Sequence, residues 1–278
     1  MNKKKIVIES GKETSAYWRD LWSYKELLYY LTLRDILIRY KQTFLGIAWS
    51  AFRPLLTIMV FTVVFGRIAH LPDNGVPYAI MVCCAILPWQ FFSNSLTDAS
   101  NSLVNNSEIL TKVFFPRMIF PISAISISLV DFVISFGILC LLMLFYGFVP
   151  AWTIIMIPLF LAIAFTTALG AGFFISSLNV RFRDFKFIVP FLLQLGLFIS
   201  PVGYTSSVGS TIIPEKWKLL YYLNPMAGVI DGFRWAIIGR NAQLYLPGIY
   251  MSLTISLLIL FLGISFFRKV EKDFVDII

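Results

Sequence analysis

The stretch LLYYLTLRDILIRYKQTFLGIAWSAFRPL, residues 27–55, decides the fold, because the solvent of the chain changes within it. A basic amphipathic segment runs into a hydrophobic one through Gly46, Trp49, Arg53 and Pro54. On a helix, Tyr30, Leu33, Leu37, Tyr40 and Phe44 fall on one stripe, while Thr32, Asp35, Arg39 and Gln42 fall opposite. That is the pattern of a helix lying in a membrane interface. Arg34 and Lys41 flank the apolar stripe, where long side chains snorkel to lipid phosphate. The alternative is a half-buried helix on a soluble core, and the run that follows, long enough for a membrane span, argues against it.

Composition extends this reading to the whole chain. Of 278 residues, 58% are hydrophobic and 14% charged, where a soluble domain carries about a quarter charged residues. The chain is a polytopic membrane protein. Lys and Arg outnumber Asp and Glu by 23 to 15, yet nucleic acid is not the partner implied, because the positive charges gather on one side of the spans. Lys3, Lys4 and Lys5 precede no apolar run before Gly46, so no cleavable signal is visible and the N-terminus is expected in the cytosol. Cys83, Cys84 and Cys140 lie inside apolar segments without CxxC spacing and read as small buried hydrophobes. His70 stands in a short polar connection with no ligand-spaced Cys, Asp or Glu, which does not make a metal site.

The first apolar run, Ile47 to Gly66, has about the 20 residues a helix needs to cross hydrocarbon. It ends in the turn Pro72-Asp73-Asn74-Gly75. A second run from Tyr78 to about Leu96 contains Pro88, is expected to kink there, and ends in polar residues. Within the polar stretch 99–117, Asn105-Asn106-Ser107-Glu108 offers caps for a short helix ending at Lys112. Spans then run from Met118 to Tyr146, from Trp152 to Leu178, from Phe187 to about Tyr204 and from Leu246 to Phe267. Asn224-Pro225 marks a helix start, with Asn as cap and Pro in the first helical position. The chain divides into a cytoplasmic segment 1–45, a six-span domain 46–268 and a cytoplasmic tail 269–278. The domain contains the polar loop 99–117 and an external region 206–240.

Charge decides whether residues 219–238 cross the membrane. With six spans, nine Lys and Arg residues before Gly46, two in 99–117, three in 179–186 and three after Phe267 lie inside. Five lie outside: Arg67, Lys216, Lys218, Arg234 and Arg240. A seventh span would send Arg268, Lys269 and Lys272 outside, against the positive-inside rule. The region is therefore expected to dip into the outer leaflet and return, under cover of other protein.

Little in the chain looks catalytic. No GxxxxGK[ST] loop is present, so no ATPase site is visible. Asp131, deep in the third span, is either a functional acid or the ion-pair partner of Arg53. A single carboxylate falls short of a proton relay. Phe187, Phe191, Gln194, Phe198 and Pro201 share one helical face, which reads either as helix packing or as a surface for sugars. Pyranose C–H faces stack on rings, and hydroxyls exchange hydrogen bonds with an amide. Trp49, Phe52, Phe61 and Phe65 add aromatics in the first span. Arg181, Arg183 and Lys186, with Arg53, lie at the height of lipid phosphates, where topology signals and a diphosphate site look alike.

The order of RDILIRYKQTFLGIAWSAFRPL (34–55), FFPR (114–117), NVRFRDF (179–185), ISPVGY (199–204) and LNPMAGVIDGFRWAIIG (223–239) resembles the permease subunits of ABC-2 type polysaccharide exporters, the Wzm and KpsM kind. The resemblance covers about Tyr24 to Phe267. It implies an all-α integral membrane fold of six transmembrane helices, with an amphipathic interface helix and external re-entrant helices. It also implies a homodimer with two cytosolic ATPase subunits, which bind ATP and Mg, so that this chain itself holds no cofactor and is no enzyme. The substrate implied is an undecaprenyl-diphosphate-linked O-antigen or capsule-like glycan, exported across the bacterial inner membrane. Trp49, Phe52, Phe187, Phe191, Gln194 and Phe198 then line the channel, and Arg53, Arg181, Arg183 and Lys186 meet the lipid diphosphate. Ser107, Glu108, Ile109, Leu110 and Lys112 form the coupling helix, and Pro225, Asp231, Arg234 and Trp235 belong to the external gate. Export of a small drug or lipid, or secondary transport without an ATPase, are the alternatives.

Overall fold

The computed structural model describes residues 14–41, 46–68, 70, 75–113, 115–203, 218–239, 242 and 244–274, and among them every element is helical. Helix α1 (Thr14–Ser23) leads into α2 (Lys25–Lys41), and α3 (Gly46–Phe61) continues as a π-helical stretch, Thr62–Ile68. Then come α4 (Tyr78–Asn105), α5 (Ser107–Lys112), α6 (Ile119–Phe145) and α7 (Ile157–Arg181), the last entered through a 3-10 turn, Trp152–Met156. The chain continues with α8 (Phe185–Ile199), α9 (Lys218–Tyr221), α10 (Pro225–Ile238) and α11 (Leu246–Val270), closed by a 3-10 turn, Glu271–Asp273. Gln42, Phe44, residues 204–217 and Arg240 lie outside the described residues, as does the side chain of Trp49.

Five helices are long and apolar enough to cross a membrane, and α8 is a shorter apolar one. Its 15 residues reach about 22 Å, less than the ~30 Å of hydrocarbon. The residues after it carry the chain on to the level at which α4 starts, where the Tyr78 hydroxyl donates to the Gly203 carbonyl at 2.6 Å. The second crossing is longer than the sequence predicts. Helix α4 does not stop near Leu96 but carries Ser100, Asn101 and Ser102 through to Asn105, their side chains donating to carbonyls of α4 itself while the Ser100 carbonyl accepts from Asn179 of α7.

Helix α4 is the axis of the bundle, packed on α6 and α7, with α3 and α8 on its flanks. Lipid offers no hydrophobic drive for helix pairing, so close contact depends on small residues and buried polar pairs. Both occur where α7 crosses α11. The Gly170 carbonyl oxygen lies 2.1 Å from where a Cβ on Gly263 would stand, and the hydroxyls of Thr167 and Ser256 are 2.8 Å apart nearby. Gly172 likewise admits Ala99 of α4.

One end of the bundle, the basic end, gathers α1, α2, α5 and the close of α11. Leu31, Leu110, Met118, Phe120, Val180, Phe267 and Phe274 form its apolar cluster. At the far end lies α10, which starts and finishes on the same side. Its N-cap Asn224 donates to Ser200 and its last turn receives Thr153 and the Ala151 amide. The Asn224 side chain accepts from the Met226 amide at 3.1 Å, so the cap read from Asn-Pro is made. A helix that enters and leaves at one end does not span, and its backbone is covered by α4, α7 and α11. Gly232 lets it lie against the Phe160 ring and Gly228 against Ser252.

Candidate transport pathway

Helix α8 turns Val189 and Leu193 into the bundle, and Gly196 fits beneath the Trp89 indole, which a Cβ would approach to 2.7 Å. The opposite face carries Phe187, Phe191, Gln194 and Phe198, all exposed, the rings at 76%, 60% and 62%. Pro201, the fifth residue of the striped face in sequence, is buried past the helix end. Helix α3 repeats the division: Pro54 and Ile58 turn inward, and Phe52, Leu56, Met59 and Val63 turn out. Arg53 sits among this exposed set, and Arg181, Arg183 and Lys186 are exposed at the start of α8. The Arg181 guanidinium lies over the Phe182 ring. Two helices flanking α4 thus present large apolar faces that the single chain leaves uncovered.

The remaining sequence-derived residues fall at the two ends. In α5, Leu110 is buried in the basic-end cluster, Ile109 packs partly against it, Ser107 is half-buried, and Glu108 and Lys112 point outward. Asn106 does not cap α5 with its side chain. Its carbonyl oxygen accepts from Arg34 at 3.1 Å and its amide donates to the Ser102 carbonyl. At the far end Pro225, Asp231 and Arg234 are buried and Trp235 is half-buried. Asp231 accepts from the Tyr222 hydroxyl at 2.9 Å and faces Arg234 at 4.0 Å. Arg234 also donates to the Val202 carbonyl at 3.1 Å. Through Asn224–Ser200 and Arg234–Val202, α10 is bonded twice to the segment that ends α8.

The structure gives Asp131 a partner other than Arg53. Arg39 of α2 lies 3.2 Å from Asp131 and 3.2 Å from Asp98 of α4, and the Tyr40 hydroxyl donates to Asp131. Burial pulls the Arg39 guanidinium down, and Asp98, then Asp131, pull it up by more, so its pKa is raised. The two carboxylates that would repel each other share one cation.

This cluster also revises the orientation of α2. Its polar residues Arg34, Asp35 and Arg39 are half-buried, while Leu33, Leu37 and Ile38 are exposed. Arg39 and Tyr40 therefore turn toward the bundle, as Leu31 does earlier in the helix, and Leu33, Leu37 and Ile38 face away. Arg34 contacts Asn106 and Arg39 contacts Asp98, so α2, which packs on α6, runs antiparallel to α4. Periodicity alone did not single out Arg39 as the bridge between two acids. The signal was two acids, Asp98 and Asp131, in helices otherwise almost free of charge.

A second polar node sits at the basic end. The Glu271 carboxylate accepts from the Tyr17 hydroxyl at 3.0 Å and from the Arg117 amide at 3.0 Å, and the Arg117 guanidinium donates to the Glu271 carbonyl. Burial raises the Glu271 pKa, and these donors, with the charges of Arg117 and Arg268, offset part of the rise.

Residues 26–238 match the model of the family described as ABC-2 type transporter. The chain belongs to the ABC-2 transporter family. Among curated proteins, this ABC-2 family member is similar to the O-antigen export system permease protein RfbA of Myxococcus xanthus. The two are 30% identical over 259 residues, covering 93% of this chain and 97% of the relative. Two proteins of the same description from Klebsiella pneumoniae are 28% and 26% identical over 254 residues, each covering 91% of this chain and 95% of the relative. Coverage of nearly the whole length on both sides makes this ABC-2 chain a multi-pass permease, a transport protein rather than an enzyme. The matched region runs from α2 to the end of α10 and so contains the residues placed above.

Proposed function

We propose that this permease exports a lipid-linked polysaccharide of the O-antigen or capsule class across the bacterial cytoplasmic membrane, as a homodimer driven by two nucleotide-binding subunits. The observation that carries the reading is the near full-length similarity to permeases named for O-antigen export. The basic end faces the cytosol, with both termini there, as the charge distribution favours. The partner subunits bind ATP and Mg, and α5 is the contact that receives their movement through Glu108, Lys112 and the buried Leu110. The uncovered faces of α3 and α8, with Phe52, Phe191 and Phe198, meet their copies across the dimer axis and line the channel. Rings suit a long polymer because weak repeated contacts allow sliding. Arg53, Arg181, Arg183 and Lys186 receive the diphosphate of the carrier lipid. The gate is α10, and its two bonds to the end of α8 join gate and channel wall.

The test is purification with the ATPase encoded beside it. Co-purification as a two-plus-two complex whose ATP hydrolysis rises with the lipid-linked glycan is the expected result. Transport of substrate by the permease alone, or stimulation by small amphiphiles and not by the glycan, overturns the reading.

A further inference from the structure

Half-buried polar residues recur along one side of α4 in a way the family features above do not use. Gln90, Asn94, Thr97 and Asn101 are spaced by four, three and four residues, which on a helix confines them to one narrow stripe. The stripe rises roughly 16 Å along the axis. Its position in the bundle follows from its neighbours. Ala99, turned half a circle from Gln90, packs against Gly172 of α7. Trp89 on one flank meets Gly196 of α8, and Asp98 on the other meets Arg39 of α2. The stripe therefore faces away from α7, between the α8 side and the α2 side.

All four side chains keep partial access to the surroundings of the chain. Thr97 donates to the Ser93 carbonyl, Asn101 donates to the Thr97 carbonyl, and Asn101 accepts from Asn179. Gln90 and Asn94 have no hydrogen-bond partner among the described residues. A carboxamide left without partners in hydrocarbon is strongly disfavoured, because no lipid group replaces the hydrogen bonds it gives up. The outward surfaces of α6 and α11 carry Leu141, Leu144, Leu257 and Phe261 instead. The side of α4 bearing Gln90 and Asn94 does not face lipid.

We infer that Gln90, Asn94, Thr97 and Asn101 form a hydrogen-bonding rail for the hydroxyls of the passing glycan, set between the aromatic faces of α3 and α8. The inference rests on the export reading above and adds a polar recognition element to it. Carboxamides donate and accept, as sugar hydroxyls do, and an uncharged rail holds each sugar weakly enough to release it to the next position. The rings take the C–H faces of the sugar, and the amides take its edge.

The experiment uses the full chain in a strain deleted for it, with surface glycan measured per permease in the membrane. Gln90→Leu combined with Asn94→Leu is expected to lower surface glycan about tenfold, with Asn94→Gln close to wild type. A second measurement treats membranes with a water-soluble methanethiosulfonate. Asn94→Cys is expected to be labelled above the wild-type chain, and Leu257→Cys is not. Wild-type export by the double Leu variant overturns the rail and leaves the export reading standing, as does an unlabelled Asn94→Cys. Unchanged surface glycan in the deletion strain itself overturns the export reading.

Discussion

Arg39 of α2 stands 3.2 Å from Asp131 of α6, so the segment before the first span is anchored by charge inside the bundle. The same guanidinium reaches Asp98 of α4, which makes α2 a strut tied to two spans. Asn106, which immediately precedes α5, also holds Arg34, so α2 and α5 are tied to the same end of α4.

Arg39→Met leaves two neighbouring carboxylates without their cation and is expected to destabilise the permease by about 2 kcal/mol, between an exposed pair and a buried one. In a double-mutant cycle with Asp131→Asn, measured by unfolding in mixed detergent, a coupling of roughly 1–2 kcal/mol is expected. A coupling near zero removes the strut.

At the basic end, burial lifts the folded pKa of Glu271 above its ordinary 4.5. An acid that binds its proton more tightly when folded adds stability that is fully present below the unfolded pKa and is lost as pH rises through the folded one. Lowering pH from neutral towards 4.5 is thus expected to raise the Tm of wild type relative to that of Glu271→Gln. Thermal melts of both proteins across that window check the sign, and parallel curves refute it.

Glycine at 263 is required by backbone proximity. A Cβ there would meet the Gly170 carbonyl oxygen at 2.1 Å, and backbone cannot swing aside. Gly263→Val is expected to cost upwards of about 3 kcal/mol and to deplete folded permease from the membrane. Gly137 in α6 has nothing within 4 Å of its would-be Cβ, so Gly137→Ala stays within about 1 kcal/mol of wild type. Quantifying both proteins in detergent extracts separates the two cases.

Phe191 and Phe198 are exposed on the single chain, so Phe191→Ala with Phe198→Ala opens no cavity in its core. Surface glycan is expected to fall severalfold at an unchanged level of inserted protein. Equal surface glycan in variant and wild type removes the channel role of α8.

Much of the architecture was legible because hydrocarbon imposes length and polarity rules on each segment separately. The limits of α3, α6, α7 and α11 follow from their apolar runs, and α10 declared its start through Asn224-Pro225. The outward stripe of α8 was visible as periodicity alone. The sequence predicts α4 too short because Ser, Thr and Asn from Ser93 to Asn105 resemble a loop when no neighbour is known. Their carbonyl partners, on α4 itself in most cases, make them helix.

By itself the sequence determined which segments cross, which side gathers charge and that α10 does not span, since each depends on the transfer of one segment between water and lipid. Only the tertiary structure decided that Arg39 and Tyr40 of α2 turn inward together, that Arg39 rather than Arg53 answers Asp131, and that α10 is bonded to the end of α8. Amphipathicity states that a helix has two faces, and which one is buried depends on the charges that distant segments bring to it.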